Sequence, residues 1–222
     1  MEKIWIIGAG RFGLLSLDHL AESHEDARFV LVDSDIKGIE LFDCSSCSVE
    51  ESDGVEFLQK HLYQENAPDW IIPALPVHLA AEWCLRRLGP DLVKRTVLPA
   101  ETDPQIPHPI RGENGDIYVT HATFLCPDRC SEPGTVCTVT GKPRPKNMFE
   151  VLADIQVPGF RPLVIRSHQL APGVGGYRPK SLFELLESVK NADTSLIVST
   201  ACRCHGVLTG ICPAKKGQLT DP

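Results

Sequence analysis

The residues with most scope for chemistry in this chain are its nine cysteines, three of which lie close together. Cys126, Cys130 and Cys137 have the spacing C-x3-C-x6-C, and the stretch between them contains two prolines and a glycine. Such a segment forms irregular backbone, on which three thiols can converge on one point. Because thiolates are ligands of zinc and of iron–sulfur clusters, the spacing predicts a metal centre.

A fourth ligand must come from elsewhere in the chain. We expect Cys204, because the apolar residues 195–200 predict a core strand that ends just before it. The alternatives are Cys202, His205 and Cys212. In extended backbone Cys202 and Cys204 would project to the same side. Three close cysteines and a remote one are typical of iron–sulfur sites, whereas zinc sites more often use Cys-x2-Cys pairs, so the pattern favours an iron–sulfur cluster. Structural zinc, or thiols that are simply buried, are the other two interpretations.

The remaining cysteines indicate packing rather than chemistry. Cys44 and Cys47 enclose two serines, which favours a loop over the helix start that a redox-active pair requires. Cys84 lies on a predicted helix and is expected in the core. Because we expect the protein in the reducing cytoplasm, we predict no disulfide framework.

A second chemical feature is a glycine loop near the start of the chain. It has the pattern G-x-G-x-x-G and comprises Gly8, Ala9, Gly10, Arg11, Phe12 and Gly13. In such a loop the first glycine makes a tight turn, the second lets the backbone approach a pyrophosphate, and the third permits close helix–strand packing. The helix that follows offers free N–H groups and a positive dipole end to the phosphates. The loop therefore predicts a dinucleotide site.

A carboxylate at the end of the second apolar run extends this pattern. Asp33 comes twenty residues after Gly13, and Ser34 follows it. The carboxylate can accept hydrogen bonds from an adenosine ribose and repels a 2′-phosphate, so we expect NAD rather than NADP. The predicted cofactor-binding residues are residues 8–13, Asp33 and Ser34. A fold of the same pattern that binds another nucleotide, or none, is the alternative.

Histidines near apolar runs are candidates for acid–base work. His168 ends one such run and precedes the glycine-rich residues 172–177, so it is the candidate catalytic residue. A hydrogen-bonded structural histidine is the alternative. Basic residues, among them Arg166 and Arg178, flank the glycine-rich segment, which predicts either an anion site or a flexible connection. His78 follows the fourth predicted strand, near the expected nicotinamide.

Alternating strands and helices must position these residues. Apolar runs at residues 4–7 and 28–33 enclose a helical pattern, which is a β-α-β unit. We predict an α/β fold: a Rossmann-type doubly wound parallel sheet with a smaller C-terminal α/β cysteine-rich domain. The predicted domains are residues 1–98 for NAD, a proline-rich linker at 99–115, and a metal-binding domain at 116–222. Further helices are expected at residues 53–64, 77–88, 147–154 and 181–190, and further strands at 69–75, 94–98, 116–125, 162–167 and 195–200.

The first forty residues allow a comparison with known families. Residues 6–13, followed by residues 30–35, resemble the NAD-binding domain of TrkA-type (RCK-like) potassium-uptake regulators. The resemblance implies a Rossmann fold, bound NAD(H) and a regulatory role. Residues 69–78 look more like the fourth-strand region of saccharopine-dehydrogenase-like oxidoreductases, and the cysteine-rich half resembles neither family.

Composition and charge exclude several classes of function. Hydrophobic residues make up 42% of the 222 residues and charged residues 23%, as in ordinary globular proteins. A net charge of −7 disfavours nucleic acid as a partner. Without a signal peptide or a membrane-spanning run, we expect a cytoplasmic protein. The combined prediction is an NAD(H)-binding redox protein with an iron–sulfur cluster. One alternative is a non-enzymatic, NAD-responsive regulator that acts as a homo-oligomer. The other is an NAD-binding oxidoreductase with structural zinc.

Overall fold

The fold contains two β-sheets, a β-hairpin and five α-helices among the described residues. The computed structural model describes residues 1–37, 39, 46–132, 134–144 and 146–214. The helices are α1 (Arg11–Ser23), α2 (Gly54–His61), α3 (Leu79–Leu88), α4 (Met148–Ala153) and α5 (Pro179–Lys190). The predicted α/β class is confirmed. None of the helices in the described part of the chain combines the length and apolar character needed to span a bilayer.

The first sheet is entirely parallel and is built from the N-terminal apolar runs. Its strands are β1 (Lys3–Ile7), β2 (Arg28–Asp33), β3 (Cys47–Glu51) and β4 (Trp70–Pro73), in the order β3-β2-β1-β4. Strand β1 is central and its residues Ile4, Ile6 and Ile7 are fully buried, as expected for a strand covered on both faces. Parallel pairing brings the carboxyl ends of all four strands to one edge, where the glycine loop begins.

The second sheet is mixed and has β12 (His205–Pro213) at its centre. Its other strands are β5 (Val93–Thr96), β6 (Ile110–Arg111), β7 (Ile117–Thr120), β8 (Phe160–Arg166) and β11 (Ser195–Ala201). The order is β6-β7-β12-β11-β8, and β5 pairs with the second half of β12. Strands β8 and β11 are parallel, whereas the other pairs are antiparallel.

A hairpin of β9 (His168–Ala171) and β10 (Val174–Gly176) joins the two sheets. It continues into an antiparallel bridge between Tyr177 and Ile71 of β4. Helices α3 and α5 pack against each other in a core cluster that also contains Ile7 from the parallel sheet and Val198 from the mixed sheet. Both sheets therefore contribute to this cluster, and each sheet also packs against a further cluster of its own.

Several elements differ from the sequence-based prediction. The strand expected at residues 94–98 is β5, and it belongs to the mixed sheet rather than to the parallel one. Strand β12 was not predicted at all, because its two glycines and its Cys-Pro end obscure the apolar pattern. The proline-rich residues 99–115 hold a 3-10 helix at Ala100–Gln105 and the edge strand β6. The domain boundary at residue 98 stays a prediction.

Candidate functional site

The three glycines of the glycine loop have different surroundings. Gly8 has φ +106°, and a Cβ there would lie 2.4 Å from the carbonyl oxygen of Ala74. A Cβ on Gly13 would lie 1.9 Å from the carbonyl oxygen of Gly8. A Cβ on Gly10 would meet no heavy atom of the described residues within 4 Å. Protein packing therefore explains Gly8 and Gly13, whereas Gly10, which precedes α1, faces open space.

The carboxylate of Asp33 supports the backbone of the same loop. Its Oδ2 accepts a hydrogen bond from the Ala9 N–H at 2.6 Å, and its Oδ1 accepts one from the Asp35 N–H at 3.0 Å. The Gly8 N–H donates to the carbonyl of Val32 at 2.7 Å. A carboxylate oxygen can accept two hydrogen bonds, so Asp33 keeps capacity for a ligand hydroxyl.

A cavity of about 840 Å³, here called the sheet-edge cavity, lies at the carboxyl ends of the parallel strands. Gly8, Asp33 and Ser34 line one side of it. The opposite side is formed by residues of α3 and of the segment through β5, including Glu82 and Arg95. This volume is within the range of ligand pockets, which are usually about 300–1,000 Å³.

A second cavity of about 810 Å³, the cysteine cavity, lies on the other side of the glycine loop. Arg11 and Phe12 of that loop line it. So do the following potential metal ligands: Cys126, Cys130, Cys137, Cys202, Cys204, His205, His121 and Glu132. The glycine loop thus contributes Gly8 to one cavity and its helical end to the other.

The cysteines in this cavity influence one another electrostatically. Burial raises the pKa of the Cys126 thiol, and the neighbouring thiols of Cys130, Cys204 and Cys137 raise it further. The Cys126 Sγ lies 3.7 Å from Nε2 of His205. The structure therefore brings the four predicted metal ligands to one cavity, with His205 beside them. Among the described residues, no three His, Cys, Asp or Glu side chains are already arranged as a metal site.

Cys202 and Cys204 occupy the turn between β11 and β12. The Cys202 Sγ accepts hydrogen bonds from the backbone N–H groups of Cys204 at 3.4 Å and His205 at 3.3 Å. The backbone N–H of Cys202 in turn donates to the carbonyl of His205 at 3.0 Å. The extended backbone expected here is wrong, because the chain reverses direction at these residues. Both thiols still line the cavity, since a tight turn presents its side chains at one end of the hairpin.

The other cysteines lie apart from this group. Cys212 is on β12, opposite Lys94 of β5, and within the described part of the chain it lines neither cavity. Burial raises the pKa of the Cys84 thiol to about 12, in keeping with its predicted place in the core. Cys47 is disulfide-bonded, contrary to the expectation of reduced cysteines, and Cys44 lies outside the described residues.

The glycine-rich segment after His168 holds the loop at residues 126–137, here called the cysteine loop, in place. A Cβ on Gly173, where φ is +80°, would lie 1.7 Å from the carbonyl oxygen of Asp128. The Gly173 N–H donates to the carbonyl of Cys130 at 2.9 Å, and the Gln169 side chain donates to the same carbonyl at 2.6 Å. Arg11 forms an ion pair with Asp128. Close protein packing therefore accounts for Gly173.

The two candidate histidines have different environments. His168 is exposed at the start of β9, where its ring lies 5.9 Å from that of Trp70. Partial burial and the nearby charges of Arg166 and Arg178 lower its pKa. Within the described part of the chain, His168 lines neither cavity. His78 is buried, with 2% of its surface exposed.

His78 instead belongs to a buried polar network that the sequence did not reveal. Its Nδ1 lies 2.7 Å from the Thr209 hydroxyl oxygen and its Nε2 lies 2.9 Å from that of Thr200. Thr209 donates to the buried Asp116 carboxylate at 2.5 Å, which also accepts from Arg95 at 2.5 Å. Because His78 and Thr209 are 131 residues apart, no local spacing could have indicated this contact.

Comparison with known proteins identifies one similar protein and one matching family model. The chain is 26% identical over 226 residues to a protein of Archaeoglobus fulgidus described as "Uncharacterized protein", with 93% of this chain and 97% of that protein aligned. No solved structure matches the chain. A family model described as "Uncharacterized protein, C-terminal domain" matches residues 80–213, which contain all six strands of the mixed sheet. Since this match covers more than half of the chain, the protein belongs to that family.

Proposed function

We propose that this protein is a cytoplasmic redox protein that binds NAD(H) at the glycine loop and a cysteine-ligated metal centre in the cysteine cavity. An iron–sulfur cluster is the centre that we propose first. The observation that carries the proposal is the position of the glycine loop between the two cavities. A ligand that extended along the loop from Gly8 to Phe12 would reach both cavities.

The open surroundings of Gly10 support the dinucleotide. Nothing in the described structure requires a glycine there, whereas a pyrophosphate that approaches the backbone does require one. The strand order β3-β2-β1-β4 is also that of the first four strands in Rossmann-type dinucleotide-binding sheets. In such sheets the ligand binds outside the carboxyl ends of the strands, which is where the sheet-edge cavity lies.

The shared cavity of the predicted ligands supports the metal centre. Cys126, Cys130, Cys137 and Cys204 would hold it, and their thiolates suit either an iron–sulfur cluster or zinc. When bound, a cluster would supply one-electron transfer, whereas NADH gives up two electrons as hydride. Transfer between the two would need a bound redox carrier, a flavin or a substrate of similar chemistry, that accepts a hydride and releases its two electrons one at a time.

Cofactor preference tests the dinucleotide part. Calorimetric titration of the wild-type protein should show tighter binding of NAD than of NADP, because Asp33 repels a 2′-phosphate. Asp33→Ala should reduce the difference in affinity between NAD and NADP. Asp35→Ala is a suitable control, since it removes a neighbouring carboxylate that does not hydrogen-bond to the glycine loop. Tighter binding of NADP to the wild type would overturn the assignment.

Metal analysis of protein purified without oxygen tests the second part. Iron and sulfide in stoichiometric amounts would support the cluster, and zinc in their place would support the zinc-containing oxidoreductase. Absence of both metals from protein that has also been reconstituted with each would overturn the metal centre. Oxidation of NADH with an artificial acceptor would distinguish an enzyme from an NAD-responsive regulator.

A further inference from the structure

We propose that Arg144 is a positioning residue for the metal centre, which it stabilises by placing a fixed positive charge and a hydrogen bond against the thiolate of Cys204. The inference rests on the proposed metal centre in the cysteine cavity. It goes further by assigning a role to a residue outside the ligand set.

The guanidinium of Arg144 lies between the two chain segments that supply the cysteines. Its Nη2 donates to the Cys204 Sγ at 2.9 Å, in the turn between β11 and β12. Its Nη1 donates to the carbonyl of Gly134 at 3.3 Å, and its backbone N–H donates to the carbonyl of Thr135 at 2.8 Å. Arg144 therefore joins the segment that carries Cys137 to the hairpin that carries Cys204.

The charge of the ligand set requires such a group. Four thiolates around a divalent zinc ion, or around an iron–sulfur cluster with two positive charges, leave an excess of negative charge in a partly buried cavity. An uncompensated charge in such a place is unfavourable, because it has lost part of its hydration. The cationic guanidinium of Arg144 contacts the Sγ of Cys204 directly.

The other charged residues of the cavity are placed differently. Arg11 is paired with Asp128, and Glu132 adds negative charge near Cys202. Lys142 also lines the cavity, but no hydrogen bond from its ammonium group to a cysteine of the described structure is present. Arginine is also better suited than lysine to this position, because its rigid fork can donate to a sulfur and a carbonyl at once.

Metal affinity is the measurement that tests the inference. The purified apo-protein is titrated with Zn²⁺ against a chelator, and separately with Co²⁺, whose thiolate absorption bands report sulfur coordination. Removal of a residue that hydrogen-bonds to a metal ligand usually weakens affinity about 10–100-fold. We expect Arg144→Met to bind both ions about 10–100-fold more weakly than the wild type and to shift the absorption bands of bound Co²⁺. Arg144→Lys should restore part of the affinity, and Lys142→Met, the matched control, should stay close to wild type.

The outcomes separate the two levels of the argument. A wild-type protein that binds no Zn²⁺, and that shows no thiolate absorption bands with Co²⁺, would overturn the metal centre itself. A wild type that binds both ions, with Arg144→Met equal to it or with Lys142→Met equally weakened, would overturn only the role of Arg144. If Arg144→Met does not fold, Arg144→Gln keeps the hydrogen-bond donors without the charge, and wild-type affinity in that variant would count against the inference.

Discussion

Gly10 and Gly13 lie three residues apart, yet only one of them is required by the fold. A Cβ on Gly13 meets the carbonyl oxygen of Gly8, just after β1, so Gly13→Ala should lower the free energy of unfolding by about 1–3 kcal/mol. Gly10→Val should destabilise the protein less than this, because its side chain enters open space. It should instead abolish calorimetrically detectable binding of NAD.

Urea denaturation and NAD titration of both variants check this division. Wild-type NAD affinity in folded Gly10→Val would show that the loop is not the phosphate site. If Gly13→Ala were as stable as the wild type, the argument that Gly13 is required for packing would be wrong, but the argument for NAD binding at Gly10 would be unaffected.

The buried imidazole of His78 predicts a specific pH dependence of stability. Burial lowers its pKa from 6.5 to about 4, although the charge of Asp116 acts in the opposite direction. The unfolded chain therefore binds a proton in this range that the folded protein does not. Above pH 6.5 the neutral His78 contributes on the order of 3 kcal/mol to the free energy of unfolding. This contribution is lost as the pH falls toward 4.

Comparison with His78→Gln isolates this contribution. The variant should be less stable than the wild type at neutral pH, since it loses the bridge between Thr200 and Thr209. The difference in free energy of unfolding between the two proteins should shrink as the pH falls, because only the wild type has a buried histidine that must be protonated. Parallel stability curves from urea denaturation of the two proteins across this pH range would show that His78 does not contribute.

At the scale of elements, the β9–β10 hairpin supports the cysteine loop through Gly173. Gly173→Ala adds a Cβ 1.7 Å from a backbone oxygen and places alanine at φ +80°. Gly159 has a similar φ of +78° but open space around it, so Gly159→Ala reports the cost of the backbone conformation alone. We expect Gly173→Ala to be less stable than Gly159→Ala by about 1–3 kcal/mol.

The same pair of variants links the hairpin to the metal centre. Displacement of Asp128 should disturb the neighbouring Cys126 and Cys130, so Gly173→Ala should bind Zn²⁺ more weakly than Gly159→Ala. Equal thermal stability and equal zinc affinity of the two variants would contradict a supporting role for the hairpin.

At the scale of the whole molecule, the cluster to which both sheets contribute predicts that the two sheets unfold together. One cluster contains Trp5 of β1, Trp83 of α3 and Leu196 of β11. Tryptophan fluorescence and far-ultraviolet circular dichroism should therefore give coincident urea transitions. Leu196→Ala, in the mixed sheet, should lower the stability reported by both signals by about 2–5 kcal/mol. A separate, unaffected transition of the parallel sheet would show that the halves are independent.

Several features could be predicted from the sequence because they depend on nearby residues. Strands β1 and β2, helix α1 and the glycine loop lie within the first 33 residues, and their pattern of apolar residues and glycines is local. Gly8 has the positive φ expected of a tight turn, and Gly13 packs closely against Gly8, as the local pattern predicts. Cys126, Cys130 and Cys137 line the same cavity, in keeping with their closeness in the sequence.

The tertiary structure decided the features that depend on distant segments. It placed β5 against β12 instead of in the parallel sheet, and it put Cys204 into the cavity through a hairpin turn. It also buried His78 between two threonines from the end of the chain. The apolar pattern of a strand specifies that the strand is buried, but not which partner it pairs with. That choice depends on contacts between residues more than a hundred positions apart, which only the complete core determines.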